Sequence, residues 1–124
     1  KINLDQLDEN SALVFYYCRN GWKAYNENQI DIIYSQYPDF FNHPDYISAT
    51  GHHNVQYNSF IIRSSTFGKC FDSEIFSLIG PPKNKHGSVH WERLWTSVLM
   101  SNGVTVQVLE NATRYIKKIH LNRQ

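Results

Sequence analysis

Apolar positions change their spacing several times along this chain, and each change marks a predicted element. Residues 1–10 are polar and predict a loosely docked lead-in. From 11 to 17, Ser-Ala-Leu-Val-Phe-Tyr-Tyr is apolar and rich in β-formers, which predicts a strand. Asn20-Gly21 supplies two residues that tolerate positive φ, the requirement of a tight hairpin turn, so 22–25 predicts the returning strand. Asn26 can then cap a helix whose apolar face is Ile30, Ile33, Tyr34 and Tyr37, ended by Pro38.

Two prolines and a glycine make 38–53 a predicted loop. The segment 55–65 reads as a strand with Phe60-Ile61-Ile62 buried at its centre, and the partial alternation of 69–79 predicts another. Gly80-Pro81-Pro82 opens the clearest break, which runs to Gly87. Beyond it Ser88 can cap a helix carrying Trp91, Leu94, Trp95, Val98 and Leu99, an apolar stripe at helical spacing. Asn102-Gly103 closes that helix, and 104–109 alternates as a strand. The tail from 110 onward fits either a short helix or an extension of that strand.

The resulting order, β-β-α-β-β, a break, then α-β, predicts an α+β fold in a single domain spanning 1–124. Counting the first hairpin as one strand gives β-α-β-β-α-β, the pattern of a ferredoxin-like sandwich. On that second scaffold, sheet aromatics such as Tyr57 and Phe71 would stack on nucleic-acid bases, with the tail lysines as charge.

Composition narrows the function classes. Hydrophobic residues are 41% and charged residues 19%, which is the balance of a globular chain rather than a disordered one. A net charge of +1 lacks the basic excess of a phosphate-backbone binder, and no apolar run is long enough to span a membrane. Aromatic residues reach 15%, which suits either an aromatic core or a binding surface. Cys18 and Cys70 could form one disulfide or remain buried thiols; the reading taken is reduced thiols and an intracellular protein, cytoplasmic or nuclear.

Motifs for catalysis are missing. There is no Gly-x-Ser-x-Gly, no His-Glu-x-x-His, no phosphate-binding loop and no dinucleotide fingerprint, and neither cysteine has a histidine beside it. Asp72 and Glu74 would share one strand face, more simply a solvated face than an acid–base pair. His86 and His90 lie four residues apart with Glu92 nearby, a spacing that metal sites use, but the reading taken is plain surface histidines and no metal. Arg114, Lys117 and Lys118 would form the wet face of a terminal helix, or a contact to phosphates. The chain therefore reads as a binding module without a cofactor and not as an enzyme.

The stretch Phe-Tyr-Tyr-Cys-Arg-Asn-Gly-Trp-Lys-Ala-Tyr-Asn-Glu (15–27), followed by a helix and then Ser-Phe-Ile-Ile-Arg-Ser-Ser-Thr-Phe (59–67), resembles the first part of a WWE domain. The resemblance covers 12–68. It implies a small, curved antiparallel half-barrel with one packed helix in 11–80, extended here by a C-terminal helix and strand in 81–124. It also implies recognition of ADP-ribose-type nucleotides or of a protein partner. On that reading Tyr16 stacks on adenine, Arg19 meets the pyrophosphate, Trp22 and Tyr25 shape the hairpin, and Phe60 lines the pocket. The chain departs from the family pattern at Val14 or Phe15, where a tryptophan is expected, and at Tyr34, where an acid is expected. After 70 it carries Asp72 and Glu74 in place of a basic ending.

Overall fold

A computed structural model of the protein describes residues 7–15, 27–55 and 58–109. Within them the order is β1 (Ser11–Val14), α1 (Glu27–Gln36), α2 (Pro38–Phe41), β2 (Phe60–Ile62), α3 (Ser64–Phe71), α4 (Glu74–Ser77), α5 (Lys85–Ser101) and β3 (Thr105–Val108). The fold is a small α+β arrangement, as the sequence predicts. The hairpin at Asn20-Gly21 and the tail from 110 lie outside the described residues.

β1 is the centre of an open three-stranded sheet with order β2-β1-β3. It pairs antiparallel with β2, Val14 opposite Phe60, and parallel with β3, Val14 opposite Val108. The sheet is therefore mixed rather than wholly antiparallel. β3, from the C-terminal part of the chain, is built into the same sheet as β1. All four β1 residues are buried, which is why this strand reads as a continuous apolar run. The period of two places Ala12 and Val14 on one face, where they pack with Val55, Cys70, Leu99 and Val104.

α5 carries the apolar stripe that its sequence predicts, with Leu94, Val98 and Leu99 fully buried. It begins earlier than the Ser88 cap predicts. Asn84 is the cap, its Oδ1 accepting from the Gly87 N–H at 2.9 Å. The helix ends at Asn102 as expected. Gly103 takes the left-handed conformation (φ 78°), and the Gly103 and Val104 N–H groups bond back to Met100 and Leu99. A second apolar cluster joins α5 to α1, α2 and α4 through Ile33, Phe40, Ile75, Trp91, Leu94 and Val98. Trp95 packs against both clusters.

Three local expectations are corrected. The stretch 69–79 is not a strand. It holds the end of α3 and all of α4, with Ser73 capping α4 by accepting from the Phe76 N–H. The buried positions of 64–79, Thr66, Cys70, Ile75 and Ile79, follow helical spacing with one break between the two helices. Asp72 and Glu74 consequently sit at helix ends rather than on a strand face, and Phe71 lies on α3 rather than on the sheet. The strand predicted for 55–65 shrinks to three residues because Arg63 turns into α3. The Arg63 guanidinium donates twice to the Leu7 carbonyl, and Thr66 donates to the Glu9 carbonyl. These bonds dock residues 7–10 against α3. The loop predicted over 38–53 starts with α2, where Pro38 occupies the first turn without needing an N–H.

Candidate functional site

Two hollows flank the Pro81-Pro82 segment. That segment is held close to α5 by Gly87, where a Cβ would meet the Pro82 Cα at 3.2 Å. A glycine in the first helical turn thus lets a proline backbone lie against the helix.

The larger hollow is a groove of about 790 Å3 between α3, α4 and α5. Five rings form it. The Trp91 and Trp95 centroids are 4.6 Å apart, Phe76 lies 4.9 Å from Trp91, Phe71 lies 5.1 Å from Phe76, and Phe67 lies 6.1 Å from Trp95. All are tilted contacts in the range aromatic pairs favour. Helical spacing produces the array: Trp91 and Trp95 are i, i+4 on α5, and Phe67 and Phe71 are i, i+4 on α3. Phe71 stays 57% exposed although its ring meets both Phe67 and Phe76.

Both indole N–H groups are spoken for. Trp91 donates to the Gly80 carbonyl at 2.8 Å, and Trp95 donates to Asn58 Oδ1 at 3.0 Å. Asn58 holds its side chain there from a left-handed backbone (φ 55°), which asparagine tolerates better than most residues. Its amide nitrogen donates in turn to the Ser88 carbonyl and hydroxyl. Among the described residues no charged side chain lines the groove. Its walls therefore recognise by shape and apolar contact.

The smaller hollow, about 490 Å3, lies on the other side of the prolines and is lined in part by Gln36, Tyr37, Lys83, His86 and His90. His90 is 9% exposed, and its Nδ1 is 3.1 Å from the Tyr37 hydroxyl. Burial pushes the His90 pKa down, and Arg93 and His86 push it further. This histidine is not on the surface, contrary to the plain reading of its motif. Among the described residues no group of three or more side chains is arranged to hold a metal ion.

Of the predicted site residues, Tyr16, Arg19, Trp22 and Tyr25 lie outside the described residues. Phe60 is on β2, partly buried, with its ring 5.1 Å from Trp95 and 6.3 Å from Phe67. It backs the groove rings without lining the groove. Tyr57 lies outside the described residues, as does Cys18. Cys70 is a free, fully buried thiol whose pKa burial raises. No helix among the described residues is long and apolar enough to cross a membrane. The groove escapes sequence reading because half of it comes from 64–77, where period-two alternation hides a helical face.

Compared with known proteins, the chain matches no family model, no curated protein and no solved structure.

Proposed function

We propose that the protein is a non-catalytic binding module whose aromatic groove holds a neutral, largely apolar ligand. The observation that carries this reading is the groove itself: five rings around about 790 Å3, with both indole N–H groups already bonded and no charge among the described lining residues. That volume falls within the roughly 300–1,000 Å3 typical of small-ligand sites. An apolar lining with its polar groups satisfied gains affinity from surface removed from water and rejects charged groups it cannot pair. The groove's own polar side chains, Asn58, Ser77 and Ser88, include no histidine, carboxylate or thiol to activate them, which favours binding over catalysis.

An ADP-ribose-type nucleotide, which the WWE resemblance implies, needs a cation beside a stacking ring. The groove offers rings without a cation among its lining residues, which weighs toward the neutral ligand. A nucleic acid would need the same missing charge. An apolar side chain of a protein partner fits the same chemistry.

Titration with a neutral naphthylamine dye tests the reading. The dye should brighten and quench tryptophan fluorescence along one saturable curve, with affinity about tenfold weaker in Phe71→Ser, the loss of one stacked ring. An unsaturable signal, or equal affinity in the variant, would end the proposal. Calorimetry with iso-ADP-ribose, on wild type and Arg19→Ala, tests the charged ligand separately: heat that the variant abolishes would replace the neutral ligand by the nucleotide.

A further inference from the structure

The hollow beside the groove has the opposite chemistry, independent of any groove ligand. His86, His90 and Arg93 occupy i, i+4 and i+7 of α5, one face of the helix. His86 and His90, with Gln36, line both the 490 Å3 cleft and an adjoining hollow of about 240 Å3. Lys83 lines the first and Arg93 the second. Among the described residues no carboxylate lines either: Asp31, Asp39 and Glu92, neighbours in sequence on these elements, are not in the lining.

We propose that this cleft is a binding site for a small tetrahedral oxyanion, a phosphate or sulfate group, held by Lys83, His86 and His90.

The Gly87 and Ser88 amides are not the donors, because both N–H groups already bond to Asn84. The side chains are. Tyr37 is the partner of His90 on its Nδ1 side. With the neutral ring accepting the Tyr37 O–H at Nδ1 its proton lies on Nε2, and in the imidazolium Nδ1 donates to the same oxygen. In both states Nε2 carries a proton and can donate to an anion. The groups facing His90 are Tyr37 from the segment after α1, Lys83 from the loop before α5, and His86 and Arg93 on α5 itself. Burial, and then the charges of Arg93 and His86, disfavour the charged form of the ring. A bound oxyanion reverses that balance, and His90 takes up a proton as the anion enters.

Sulfate stays a dianion from acid to alkaline pH, so its binding reports the protein's protonation alone. Histidine ring resonances, followed by NMR at constant ionic strength, should shift along a saturable curve for His86 and His90. Binding should be several-fold tighter at about pH 5.5 than at about pH 7.5, a range that brackets the ordinary histidine pKa. The His90 titration midpoint should rise at saturation. Lys83→Gln and His86→Gln, both at exposed positions, should weaken binding several-fold without lowering the melting temperature. His90→Gln should reduce the pH dependence without removing it, because His86 is a second imidazole in the site. Inorganic phosphate should compete. Shifts that grow linearly with sulfate, that chloride reproduces, or that survive Lys83→Gln and His86→Gln unchanged would overturn the proposal, since each describes an adventitious ion only.

Discussion

The groove and the cleft share Pro81 and Pro82 as a wall, yet they are made of different material. The groove is the aromatic core brought to the surface: Trp91 is 5% exposed and belongs to the same cluster as Ile33, Phe40 and Leu94. The cleft is lined by long polar side chains, of which His90 alone is deeply buried and anchored by a partner. One region is held by packing and the other by hydrogen bonding and charge. Damage to the groove should therefore appear first as lost stability, and damage to the cleft as altered pH response.

The largest expected effect is on the groove side. Trp91→Ala removes a core ring and the bond to Gly80, and should cost about 3–5 kcal/mol in urea unfolding. A loss below about 1 kcal/mol would show that the groove is not continuous with the core. Next is the shared wall. Gly87→Val forces the Pro82 backbone off α5 and should cost about 1–3 kcal/mol while weakening both dye and sulfate binding. If only one ligand weakens, the two hollows are independent.

On the cleft side, the lowered pKa of His90 means that the unfolded chain binds a proton that the native chain refuses. Stability should therefore fall as pH drops through the ordinary histidine value of about 6.5, and recover as pH rises above it. Exposed His53 is shifted the same way, so urea midpoints for His90→Gln should show a reduced, not abolished, slope between about pH 5.5 and 7.5. An unchanged slope would assign the effect to His53. The smallest stability effect belongs to Phe71→Ser, expected within about 0.5 kcal/mol because the ring is already wet. That variant separates ligand binding from folding in the groove.

How much of this could be read beforehand depends on which interaction governs each segment. α5 and its Gly103 stop were legible because apolar spacing and cap chemistry agree there. β1 and β3 were legible as strands, but their parallel pairing was not, since nothing local encodes which strand lies beside which. The segment 64–77 failed because Phe71, Ser73, Ile75 and Ser77 mimic strand alternation. Its helices are set by the Ser73 cap and by Thr66 and Cys70 turning inward to the core. For the sites, the Trp91–Trp95 stripe was visible, but its outward use depends on Phe67 and Phe71 arriving from α3. The His86–His90 spacing was visible too, yet the decisive partner, Tyr37, lies 53 residues away.

The 4.6 Å separation and 42° inclination of Trp91 and Trp95 also give the chain an optical identity. Two indoles so disposed mix their electronic transitions and imprint a paired band on the circular dichroism spectrum. That band would vanish if either ring turned away, so the domain carries a label-free gauge of whether this surface is intact.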